Sequence, residues 1–94
     1  MSMDLGGLLL SRVPESSIRP WPDVLQDIQV TVGNRIKAVR LRKGITQDQL
    51  AEMAGMNRVH LYRLESGRQS MTLRTLKVIA DALNVRVAQL VKGL

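Results

Sequence analysis

The amino-acid sequence predicts an all-α fold, compact and built of five helices, and three observations predict it. In the most regular stretch Leu73, Leu76, Ile79, Ala80 and Leu83 recur at helical spacing. Residues that cap helix starts, Thr46, Asn57 and Thr72, stand ahead of apolar segments, and Gly44, Gly55 and Gly67 stand where helices would stop. No segment shows the strict apolar–polar alternation of a half-buried strand, and no internal repeat is found.

Composition narrows the function classes. The chain has 94 residues, enough for one domain. Without cysteine there is neither a disulfide framework nor a thiolate metal site, and a single histidine cannot assemble a multi-histidine one, so no metal or cofactor is expected. No nucleophile sits beside a base and no glycine loop cradles a phosphate, so an enzyme is not expected. Hydrophobic residues make up 45% of the chain, too many for a disordered tail, yet no apolar run approaches the roughly 20 residues that span a bilayer. The short apolar cluster at residues 8–10 follows Asp4 rather than a basic segment, unlike a secretory signal. These features predict a soluble cytoplasmic protein with no membrane partner. Charge is uneven: residues 1–31 hold two basic and four acidic side chains, whereas residues 32–94 hold twelve basic and four acidic ones. The second part therefore carries the footprint of a polyanion-binding surface.

Taken in order, residues 1–31 read as an N-terminal arm with a possible short extra helix, and residues 32–94 as the folded domain. Gly6, Gly7, Pro14, Ser16, Ser17 and Pro20 punctuate the arm, in which Leu8, Leu9, Leu10 and Val13 are available for docking. Trp21 reads as core or interface packing. Pro22 suits the first position of a short helix near 22–30 that stops at Gly33. A helix near 32–43 follows, with Ile36, Val39 and Arg40 on one face, a basic last turn and Gly44 beyond it. Thr46 caps the next helix with Gln49 at capping-box spacing, and Leu50, Ala51 and Ala54 form its inner face. Asn57 opens a third helix in which Leu61 and Leu64 face inward. Thr72 opens the fourth, with Leu73 through Leu83 on its inner stripe, and a fifth near 86–92 buries Leu90 with Val87 or Val91.

Two helices joined by so short a turn must cross steeply. That demands a small side chain at the crossing, met by Ala51, and a residue tolerant of positive φ in the turn, met by Gly55. On the segments GNRIKAVRLRKGITQDQLAEMAG, MNRVHLYRLESGRQ and TLRTLKVIADALNV, residues 32–94 resemble the lambda-repressor-like helix-turn-helix domain of the Cro/CI (XRE) type of bacterial and phage transcriptional regulators. The chain departs from that family at Met71, where proline is common, and in its 31-residue extension.

The resemblance implies that 57–66 is a recognition helix lying in the major groove of double-stranded DNA, with Arg58, Val59, His60 and Arg63 toward base edges. It makes Gln47 a phosphate contact, with Asn57, Ser66, Arg68 and Arg35 as further candidates, and Arg40 and Glu65 a structural salt bridge. Residue chemistry agrees in part: with Leu61 and Leu64 facing inward, 58, 59, 62 and 63 lie on other faces, and arginine can donate two hydrogen bonds to guanine. Arg58 and Arg63 also have a reading as solvated charges, and His60 as an ordinary surface histidine. Tyr62 either packs beside the preceding helix or bonds a phosphate. The expected function is a dimeric repressor on a palindromic operator. The expected dimer surface is the C-terminal helix, where Val85, Val87, Val91 and Leu94 exceed one short helix's needs, although family members also use N-terminal extensions. The alternative is an antitoxin whose N-terminal arm binds a partner protein while the helix-turn-helix represses its own promoter.

Overall fold

The computed structural model describes residues 21–94, with side chains from Asp27 onward. The expectations for Leu8, Leu9, Leu10, Val13 and the Trp21 side chain lie outside the described residues. Five helices follow in order: α1 Trp21–Arg42, α2 Gln47–Met53, α3 Arg58–Glu65, α4 Leu73–Leu83 and α5 Val87–Val91. There is no strand among the described residues. Ile36, Leu50, Leu61, Leu64, Ile79, Leu83 and Leu90 are fully buried and bring all five helices onto one core. Each such side chain contributes about 1.5–3 kcal/mol of hydrophobic stabilisation. None of these helices is long and apolar enough to cross a membrane.

The first correction concerns α1. In place of a short leading helix and a second one divided at Gly33, a single 22-residue helix runs through both. A glycine inside a helix costs about 1 kcal/mol relative to alanine and so reads as a break. Here its use is a close approach. A Cβ built on Gly33 would lie 2.3 Å from the carbonyl oxygen of Leu64 and 2.7 Å from that of Glu65, so only a hydrogen at this position lets α1 lie against the end of α3. One turn earlier the contact continues. Gly67, at φ +74°, turns the chain away from α3, and a Cβ on it would fall 2.7 Å from the Val30 Cα.

The predicted starts are found where local chemistry fixes them. The Gln49 backbone N–H donates to Thr46 Oγ1 at 3.1 Å and the Thr46 N–H to Gln49 Oε1 at 2.9 Å, completing a capping box at α2. Asn57 and Thr72 cap α3 and α4 with their side-chain oxygens. Asn84 ends α4 in the left-handed region, φ 57° and ψ 43°, a place more often held by glycine.

The second correction is Leu73, expected on the inner stripe of α4 and found 84% exposed. Its spacing from Leu76 is helical, but it belongs to the first turn, ahead of Leu76, where burial begins. Ala54 is half-buried at the end of α2. At the C-terminus Leu90 is fully buried, while Val85, Val87 and Val91 pack partly against the same core and Leu94 remains 57% exposed.

Candidate nucleic-acid interface

Helices α2 and α3 are joined through a turn in which Gly55 takes φ +66°. No atom lies within 4 Å of where its Cβ would be, so glycine serves here for conformation and not for space. Ala51, 3% exposed, is the small residue at the crossing. This geometry holds α3 by one face. Leu61, Leu64 and Glu65 are buried, while Arg58, Val59, Tyr62 and Arg63 are exposed and His60 is half-buried at the margin. The helix is about 12 Å long at 1.5 Å per residue and projects two arginines, an apolar side chain and a phenol from its open side.

A buried ion pair fixes α3 to α1. Arg40 Nε donates to Glu65 Oε2 at 2.7 Å and Nη2 to Oε1 at 3.1 Å, the two-pronged geometry in which guanidinium and carboxylate match best. Arg40 Nη1 donates to the Ile45 carbonyl at 2.9 Å. The expected scaffold role of the pair therefore stands beside a further link: Gln47 Nε2 donates to Glu65 Oε1 at 3.1 Å. One carboxylate thus joins α1, the start of α2 and the end of α3. No buried side-chain nitrogen or oxygen among the described residues lacks a partner, which is the condition for a buried pair to be tolerated.

The residues predicted to meet phosphate are arranged unevenly. Gln47 is the first residue of α2, its amide already oriented by Glu65. The Asn57 side chain accepts from the Val59 N–H at 2.6 Å, so its oxygen is engaged as a cap. Ser66 Oγ donates to the Arg63 carbonyl at 3.2 Å. The Arg68 guanidinium stands 5.9 Å from the centre of the Tyr62 ring, within reach of a cation–π attraction. Arg35 is set apart from these residues: its Nη1 donates to the carbonyls of Leu90, at 3.4 Å, and Lys92, at the end of α5.

Two features escaped sequence reasoning. The Gln47–Glu65 bond spans 18 residues and has no local signature. Arg58 Nε lies 3.5 Å from Asp48 Oδ1, with both side chains largely exposed, so the pair is worth about 0–1 kcal/mol and is readily given up. The crossing of α2 and α3 was the available clue, since it sets the first turns of the two helices side by side. No group of three histidines, cysteines or carboxylates that could hold a metal occurs among the described residues.

A helix anchored by one face, its other face open and basic, and a preceding helix whose start stands beside it define a DNA-binding helix-turn-helix module. The model of the family described as Helix-turn-helix, HTH_3, matches residues 36–90. The chain belongs to this family, of the Cro/CI (XRE) type, a class of DNA-binding transcriptional regulators and not of enzymes. It is 44% identical over 62 residues to the immunity repressor protein of Bacillus phage phi105, an alignment covering 66% of this chain and 43% of that repressor. Among solved structures it is similar to the restriction-modification controller protein C.AhdI from Aeromonas hydrophila, with 30% identity, a TM-score of 0.65, and coverage of 68% of this chain and 96% of the controller. It is also similar to the controller protein C.Esp1396I, solved as a tetramer in complex with its natural 35 base-pair operator, with 26% identity, a TM-score of 0.61, and coverage of 69% and 96%.

Proposed function

We propose that this chain is a sequence-specific transcriptional repressor that acts in the cytoplasm as a homodimer on a palindromic operator, reading it through the helix at 57–66. The observation that carries the reading is the division of α3 into a buried edge, Leu61, Leu64 and Glu65, and an open one bearing Arg58, Val59, Tyr62 and Arg63. The phage relative is an immunity repressor, and one structural neighbour assembles on an operator, which supports the same reading. Symmetry supplies what one short helix lacks. A single helix of this length reaches only a few base pairs, whereas two placed about 34 Å apart read a two-fold related site and double the phosphate contacts.

The test begins with a duplex selected from a random pool by repeated binding to the protein. The selected site is expected to contain two inverted half-sites about one helical turn apart; a lone, asymmetric half-site would remove the dimer from the proposal. On that duplex Arg58→Ala and Arg63→Ala should each cost about 1–3 kcal/mol, with a much smaller change on random DNA. Gln47→Ala should weaken both duplexes alike, and Arg68→Ala should in addition lower the log–log salt slope by about one unit. Fluorescence anisotropy across a salt series reads all four. Equal losses on both duplexes for the Arg58 and Arg63 variants would make α3 an electrostatic surface and not a reader.

A further inference from the structure

Between α1 and α3, beside the start of α2, lies a small polar pocket of about 110 Å³ whose lining includes Asn34, Lys37, Gln47 and Tyr62. Asn34 and Lys37 are one helical turn apart on α1 and so share a face. Both are exposed, and Lys37 makes no ion pair among the described residues. Gln47 has spent one amide hydrogen on Glu65 and keeps the other. Tyr62 is 47% exposed and can turn its hydroxyl hydrogen toward a guest. The Glu65 carboxylate at the pocket's base is already bonded by Arg40. What remains is one cation and a set of neutral donors around a space suited to a single tetrahedral anion.

We propose that this pocket seats an internucleotide phosphate of the bound DNA, with Lys37, Asn34 and the Tyr62 hydroxyl as contacts that join Gln47 around it. The assignment rests on the DNA-binding reading above and extends the footprint from the helix-turn-helix onto α1. Two consequences separate it from diffuse attraction. The Lys37 contribution is ionic and so falls with salt, while that of Tyr62 is a neutral hydrogen bond and does not. Both act through the backbone and so affect every sequence alike.

The experiment uses the full chain and a random-sequence duplex, so no operator need be known. Lys37→Gln should lower the log–log salt slope by roughly 0.9 and weaken binding about eightfold near 0.1 M salt, the factor that slope implies. Lys92→Gln, a matched loss of charge at the C-terminal end, should leave the slope within about 0.3 of the parent's. Tyr62→Phe, which keeps the ring and removes the hydroxyl, should weaken binding about two- to tenfold with no change of slope. Equal slopes for the two lysine variants, or a Lys37→Gln protein that binds like the parent, would overturn the pocket while leaving the DNA-binding reading in place. A parent chain that binds no duplex would overturn both. A second measurement follows the side-chain amide resonances of Asn34 and Gln47 at constant ionic strength. They should move on adding the duplex and stay in place in millimolar inorganic phosphate. Saturation by inorganic phosphate, with no response to the duplex, would make the pocket a free-anion site and overturn the proposal.

Discussion

Glu65 is the residue on which most of the molecule's polar order converges. Its carboxylate accepts two bonds from Arg40 and one from Gln47, and its side chain is buried. Replacing it with alanine strands the Arg40 guanidinium out of water with only the Ile45 carbonyl as partner, the situation in which a broken buried pair costs about 3–5 kcal/mol. Glu65→Ala is therefore expected to lower the melting temperature by well over 10 °C, taking about 4–8 °C per kcal/mol for a domain of this size. A scanning calorimeter decides the matter; a shift of a degree or two would mean that Arg40 finds water or another acceptor. How far this site could be read beforehand differs residue by residue. Arg40 and Glu65 were paired through resemblance to a family, while the third member, Gln47, entered only as a phosphate contact because nothing in linear spacing points from 47 to 65.

At the scale of elements, starts were legible and neighbours were not. Thr46 with Gln49, and Asn57 and Thr72 with their following amides, act within four residues, so a sequence displays the whole of the interaction. Gly33 and Leu73 depend on what lies across from them. The sequence shows a helix-weakening glycine and an apolar stripe, and only the packing reveals that α3 lies against the first and that no helix covers the second. This reverses the usual effect of substitution at Gly33. In an exposed helix Gly→Ala stabilises by about 1 kcal/mol. In α1 the added methyl group meets backbone carbonyls at 2.3 and 2.7 Å, which cannot swing aside as a side chain would. Gly33→Ala should therefore destabilise the fold by about 1–3 kcal/mol, as overpacking does. Urea unfolding measures it, and a variant as stable as the parent would show that α1 and α3 slide apart at little cost.

For the whole molecule the question is where the folded unit begins. All the buried apolar residues lie at Val32 or beyond, and the matched family spans 36–90, so the core does not depend on the residues before Thr31. Yet α1 starts at Trp21 and Val30 already rests on Gly67. A chain beginning at Thr31 should accordingly remain helical by circular dichroism and melt cooperatively, at a cost on the order of 1 kcal/mol for the lost Val30 contact. Absence of a cooperative melt would place the boundary inside the first turns of α1. The split between the two edges of α3 reaches further than any single variant. Because Leu61, Leu64 and Glu65 do the anchoring, the side chains at 58, 59, 62 and 63 are released from any duty to the core. Mutation can sample those positions almost freely at constant foldability, so a lineage carrying this scaffold can drift from one target to another without passing through unfolded ancestors.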